Sequence, residues 1–133
     1  MRHLPEPPRL RDGEGRSEVA SVHRRWRYYQ SAAGRRPAYE FIKSLDTDDR
    51  ATVLAGMVQV RDHGLDRARH LRGEVYEVRV YGHDQAFRIL FAAEGSKNRV
   101  LLALEGFSKR TQQTPIRMVE LAERRLRDWR TRG

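Results

Sequence analysis

The sequence predicts an α+β fold of four strands and three helices, in the order β-α-α-β-β-β-α, with antiparallel neighbours among the last three strands. Three observations carry this expectation. Three segments have apolar residues at helical spacing, each opened by a proline or a capping residue. Between the second and third of them lie three apolar runs separated by short turns, as antiparallel neighbours require. The chain has 133 residues, enough for one domain of ordinary size and too few for two.

Residues 1–23 carry Pro5, Pro7, Pro8, Gly13 and Gly15 among mixed charges and show no sustained period. They read as a flexible N-terminal extension, with the folded domain over 24–133. The first strand is expected in Arg24-Arg25-Trp26-Arg27-Tyr28-Tyr29, where Trp26 and Tyr28 share a face, and Gly34 ends it. Pro37 opens a helix whose stripe is Ala38, Phe41, Ile42 and Leu45. Thr47 reads as the cap of a second helix, with Asp48 and Asp49 at the positive end of its dipole. Its apolar face is read as Ala51, Leu54, Met57 and Val58, and His63-Gly64 closes it.

Strands are expected over 74–81, 85–92 and 99–107, with turns at Gly82-His83-Asp84 and at 94–98. The continuous run Val100-Leu101-Leu102-Ala103-Leu104 predicts a central strand buried on both faces. Thr114 as cap and Pro115 as first residue open the last helix, lined by Met118, Ala122, Leu126 and Trp129. Phe87 and Leu102 are expected in the core.

Charge narrows the partners. The formal net charge is +9, which favours an anionic partner. Of the 27 basic residues only Lys43, Lys97 and Lys109 are lysine. Arginine's planar fork suits phosphate, although a GC-rich genome raises arginine as well. The sequence contains no cysteine, so disulfides and thiolate metal sites are excluded. No apolar run approaches the ~20 residues of a membrane span, and the start lacks a signal peptide's apolar core. A cytoplasmic protein is expected, with no cofactor, no metal and no membrane partner. The histidines His3, His23, His63, His70 and His83 lack zinc-ligand spacing.

The chemistry is expected on one sheet face. Side chains alternate along a strand, so Tyr76, Val78 and Val80 take the core side while Glu77 and Arg79 look the other way. In the next strand Phe87, Ile89 and Phe91 face the core, and Arg88 points with Leu90 to the opposite side. That side is expected to lie away from the helices. An arginine there needs an anion. The anion is either Glu77, which makes the pair structural, or a phosphate. If the sheet curves, Arg72, Arg79, Arg88, Lys109 and Arg110 line one concavity.

Several motifs add a resemblance. They are Arg-Pro-Ala-Tyr-Glu-Phe at 36–41, Leu-Arg-Gly at 71–73, Tyr-Glu-Val-Arg at 76–79 and Phe-Arg-Ile-Leu-Phe at 87–91. Gly-Phe-Ser-Lys-Arg-Thr-Gln-Gln-Thr-Pro at 106–115 and Ala-Glu-Arg-Arg at 122–125 complete the set. From Pro37 to about Trp129 the chain resembles the phage-derived RelE/HigB-like branch of the RelE/ParE superfamily of toxins. The resemblance implies a RelE-like fold, a small twisted, mainly antiparallel four-stranded sheet with two N-terminal helices on one face and a C-terminal helix, and the toxin of a type II toxin-antitoxin system. It implies a metal-independent, ribosome-dependent endoribonuclease (an mRNA interferase) that inhibits translation, with mRNA, the ribosome and a helix-turn-helix antitoxin as partners. Arg79, Arg88 and Lys109 are then the catalytic candidates. Arg72 and Arg110 are RNA-binding candidates, and Glu77 is a base or a salt-bridge partner. A ribose 2′-hydroxyl would attack the adjacent phosphate, with Arg79 and Arg88 supplying charge and Lys109 acting as base or acid. Some relatives use histidine or tyrosine near the end of the chain, whereas here no histidine follows His83 and no tyrosine follows Tyr81. Two other readings share the fold: a ParE-like toxin acting on DNA gyrase, and an inactive RNA-binding relic.

Overall fold

The computed structural model describes residues 23–83, 85–110 and 113–132. The extension expected over 1–23 lies outside the described residues except for His23, and so do Asp84 and Thr111. The elements are β1 (Arg25–Tyr28), α1 (Pro37–Ser44), α2 (Thr47–His63), β2 (Arg69–Arg72), β3 (Val75–Tyr81), β4 (Ala86–Glu94), β5 (Val100–Lys109) and α3 (Ile116–Arg132). They form one mixed sheet in the order β1-β5-β4-β3-β2, with β1 parallel to β5 and every other pair antiparallel.

The expected α+β architecture stands, with one strand more than predicted. The additional strand is β2. Its Arg-His-Leu-Arg sequence has no apolar alternation and is mostly exposed, so nothing local marks it as a strand. It exists because its backbone pairs along the edge of β3, after a turn in which Gly73 takes φ +54°. The run from Val100 is buried on both faces as expected, but β4, not β5, lies at the centre of the sheet.

α1 begins on Pro37, and the Glu40 carboxylate accepts from the Arg36 backbone N–H at 3.0 Å. Ala38 and Ile42 are buried, with Phe41 and Leu45 packed around them. α2 departs from expectation at two points. Its cap is Asp46, whose carboxylate accepts from the Asp49 N–H at 2.8 Å, and Thr47 is already helical. Its buried stripe is Val53, Met57 and Val60, while Leu54 is 40% exposed. Two apolar stripes run along this helix, and packing on β3 selects one. Gly56 allows the close approach: a Cβ there would lie 2.5 Å from a Val80 methyl.

Two cores result. α1 and α2 close over Val78, Phe87, Ile89, Phe91, Leu101 and Ala103. On the other side α3 closes over Val75, Leu90, Ala92, Leu102 and Leu104, using Val119, Ala122 and Leu126. Phe87 and Leu102 are both buried, as expected.

Candidate nucleic-acid interface

The alternation read from the strands is correct, but the face that carries Glu77, Arg79 and Arg88 does not lie away from the helices. α3 and the segment leading into it cover that face. Burial is complete at Glu77 and Arg88, both 0% exposed, and the Arg79 side chain is 4% exposed. Arg79 and Arg88 are direct cross-strand partners, and Glu77 lies two residues along β3 on the same side. Two like charges opposed in this way repel unless an anion intervenes.

The Glu77 carboxylate is that anion. One oxygen lies 3.0 Å from Arg79 Nε and 3.6 Å from Arg69 Nε. The other lies 3.9 Å from Arg88 Nε and accepts the Thr114 hydroxyl. Thr114 Oγ1 in turn lies 3.4 Å from Arg88 Nη1 and 3.5 Å from Arg79 Nη2, and the Gln113 carbonyl accepts from Arg88 Nη1 at 2.9 Å. Thr114 lies two residues before the start of the last helix, outside the expected cap position, and its hydroxyl donates to Glu77. The helix begins at Ile116, with the Pro115 carbonyl accepting from the Met118 N–H at 2.9 Å. Burial and the neighbouring Arg79 charge push the Arg88 guanidinium below its ordinary value, against an opposing pull from Glu77 and Tyr81.

Lys109 reaches this face through an irregularity in β5. Phe91 pairs with Ala103 and Leu90 with Glu105, which leaves Leu104 as an extra residue. Such a bulge reverses the parity of everything after it. Glu105, Phe107 and Lys109 therefore share the α3 side with Leu90, Arg88 and Ala86, their partners on β4. Phe107 lies under the Arg88 guanidinium, 6.0 Å from ring centroid to Cζ. Rows across β3, β4 and β5 read Glu77-Leu90-Glu105, then Arg79-Arg88-Phe107, then Tyr81-Ala86-Lys109. Exposure rises toward the last row, where Tyr81 is exposed and Lys109 partly so, and Arg110 follows, exposed.

Of the residues expected to line one concavity, Arg79, Arg88 and Lys109 share this sheet face, with Arg79 and Arg88 buried beside Glu77, and Arg110 follows β5, exposed. Arg72 is not among them. It lies at the other end of β3, opposite Val75, and donates to Glu123 on α3 through Nε at 3.1 Å. Two residues were missed by sequence reading. Arg69 joins the cluster through β2, the unforeseen strand, and Tyr81 extends the same alternation as Glu77 and Arg79 by one step. That step was available to sequence reading. Among the described residues no group of His, Cys, Asp or Glu gathers to hold a metal ion, and no helix is long and apolar enough to cross a membrane.

The fold and this site define a small basic α+β domain with Arg79, Arg88 and Lys109 on one sheet face. The chain belongs to the family described as Phage derived protein Gp49-like (DUF891), whose model matches residues 40–127. It is also 29% identical over 109 residues to proteins named "Probable endoribonuclease HigB1" from two Mycobacterium tuberculosis strains, CDC 1551 / Oshkosh and ATCC 25618 / H37Rv. The match covers 79% of this chain and 84% of each relative. The kinship with phage-derived RelE/HigB-like toxins suggested by the motifs is borne out.

Proposed function

We propose that this chain is the toxin of a type II toxin-antitoxin system and inhibits translation as a metal-independent, ribosome-dependent mRNA endoribonuclease. Its partners would be mRNA, the ribosome and a cognate antitoxin of helix-turn-helix type, in the cytoplasm. The observation that carries the reading is the convergence of Lys109 with Arg79 and Arg88 on one sheet face, in a chain similar to proteins named endoribonucleases.

Cleavage by transesterification joins the ribose 2′-oxygen to phosphorus and breaks the bond from phosphorus to the 5′-oxygen. The 2′-hydroxyl proton leaves to a base, the 5′-oxygen gains one from an acid, and the phosphorane between them carries extra negative charge. Lys109 and Arg110 are the cations that RNA meets first, and Lys109 is the proposed proton-transfer group. Arg79 and Arg88 stand behind them as a fixed positive charge in a water-poor setting, where its field acts strongly. Glu77 is the ion-pair partner of that charge rather than a base, since both its oxygens are already engaged. Arg72 belongs to the attachment of α3 rather than to the RNA surface.

The test is primer extension on a defined mRNA, with and without ribosomes, using wild type and Lys109→Ala. Expected are new cuts that need the ribosome and fall by roughly 10²-fold or more in the variant. Growth arrest without cuts would move the assignment to gyrase, and neither cuts nor arrest would indicate an inactive relic.

A further inference from the structure

Among the described residues the large apolar side chains left exposed are Leu54, Ile116 and Tyr81, and Tyr81 is the only aromatic one, at 63% exposure. Its neighbours make it unlike an ordinary surface ring. It ends β3 on the side that carries Glu77 and Arg79, and it is the cross-strand partner of Ala86, itself opposite Lys109. Ala86 between them is small and buried, so the row places a bare ring and a lysine two strand spacings apart, about 10 Å. The next row inward is Arg79-Arg88-Phe107, and Tyr81 is among the groups that act electrostatically on Arg88. Arg110 is exposed one residue past β5. The ring lines a shallow cavity with Asp48, Asp49 and Thr52 on one side and has Lys109 two strands away on the other. An exposed ring so placed can take an unpaired nucleobase while the cations on the β5 side hold the backbone away from the carboxylates. Double-stranded nucleic acid keeps its bases stacked on one another and offers such a ring nothing.

From this geometry we infer that Tyr81 is a substrate-positioning residue: it stacks on an unpaired base of single-stranded RNA whose backbone phosphate lies on Lys109 and Arg110. The inference rests on the nuclease reading for its biological setting, but binding alone can test it. It narrows the substrate to unpaired RNA and makes the β3–β4 end of the sheet the part that selects the nucleotide beside the cut.

The experiment is fluorescence anisotropy with the full chain and a labelled, uncleavable 2′-O-methyl oligonucleotide, single-stranded or annealed to its complement. Tyr81→Phe is expected to bind the single strand as wild type does, because the ring is kept. Tyr81→Leu and Tyr81→Ala are expected to bind it roughly 10- to 100-fold more weakly, the range that base–aromatic stacking gives on truncation. Duplex binding should change less than about twofold in all three, since its phosphate contacts are untouched. Thermal melting of each variant checks that an exposed ring has been removed without unfolding. The inference is overturned if Tyr81→Leu binds the single strand within twofold of wild type, if wild type binds no single strand, or if duplex binding falls in parallel. Loss of growth arrest in Tyr81→Leu with RNA binding intact would also overturn it and point to a protein partner. Ribosome-dependent cutting that is unaffected in Tyr81→Leu overturns this inference and leaves the nuclease reading standing. Ring-dependent binding without any cutting does the reverse.

Discussion

On one face of the sheet Val78, Ile89, Phe91, Leu101 and Ala103 meet α1 and α2 through apolar side chains. On the other, α3 covers Val75, Leu90, Leu102 and Leu104 at one end, and the segment before it covers Glu77, Arg79 and Arg88 at the other. The edges of the two faces differ as well. α3 is tied to the sheet by ion pairs from Arg72 to Glu123, from Arg130 to Glu74 and Glu94, and from Arg125 to Glu105. The first face uses the physics of close packing, which is indifferent to salt and pH. The second encloses two guanidiniums with a buried carboxylate between them, whose charge offsets part of the cost of their burial. A buried ion pair is a weak way to gain stability, and isosteric apolar residues would often do as well. Its presence at the end of the sheet that opens onto Lys109 and Tyr81 agrees with an electrostatic role there.

The largest expected effect tests the charged face directly. Glu77→Ala removes the carboxylate that lies between Arg79 and Arg88, and should cost about 3–5 kcal/mol in denaturant unfolding. A loss below about 1 kcal/mol would mean that the arginines find water or another partner, and the contrast between the faces would collapse.

A smaller effect is expected on the apolar face. Gly106 lies in β5 directly under α1, and a Cβ there would stand 2.5 Å from Phe41 Cδ2 and 3.1 Å from Ile89 Cδ1. Gly106→Ala should destabilise by about 1–3 kcal/mol through overpacking, with no dependence on salt. A neutral result would show that α1 slides on the sheet, and that this face is looser than the charged one.

The smallest effect separates the faces by pH. Hydrogen bonds from Arg130, from Arg72 and from Tyr29 with Arg132 hold the carboxyls of Glu74, Glu123 and Asp128 below their usual values. Carboxyls lowered on folding add stability above the unfolded range of about pH 4, and that stability is lost as the pH falls through the folded values. On the α1 side Glu40 is held down to about 2 by Arg35 and the Arg36 N–H, an exposed pair within the approach to α1 that does not bridge to the sheet, so the attachment of α3 should loosen in acid first. Each face carries its own reporter. Trp26 packs edge-on against Phe91 at 4.9 Å under α2, and Trp129 on α3 lies 6.4 Å from Tyr29. Single-tryptophan variants made by Trp26→Phe and Trp129→Phe should show the Trp129 emission moving at higher pH than that of Trp26. Coincident transitions would mean that the two faces unfold as one unit.

Much of this arrangement is legible in the order of the residues. Alternation sorts Tyr76, Val78 and Val80 from Glu77 and Arg79, and Phe87, Ile89 and Phe91 from Arg88, because in a strand the spacing of side chains is the spacing of residues. Pro37 and Gly64 mark helix ends because each constrains the backbone by itself. α2 is less transparent: Leu54 and Val53 are equally apolar neighbours, and only the surface they meet decides between them.

The sequence by itself determined the element types, the strand faces and the positive charge, all of which follow from covalent spacing and residue chemistry. The tertiary structure decided that β2 forms at all, since an edge strand with no apolar pattern draws its hydrogen bonds from its neighbour. It decided that α3 covers the charged face, because Leu90, Leu102 and Leu104 share that face with the arginines and must be buried. It also decided that Lys109 joins Arg88. That outcome rests on one unpaired residue, Leu104, whose bulge is set by pairing with β4 and turns the end of β5 over. Pairing register is a property of two strands together, and neither strand's sequence contains it alone.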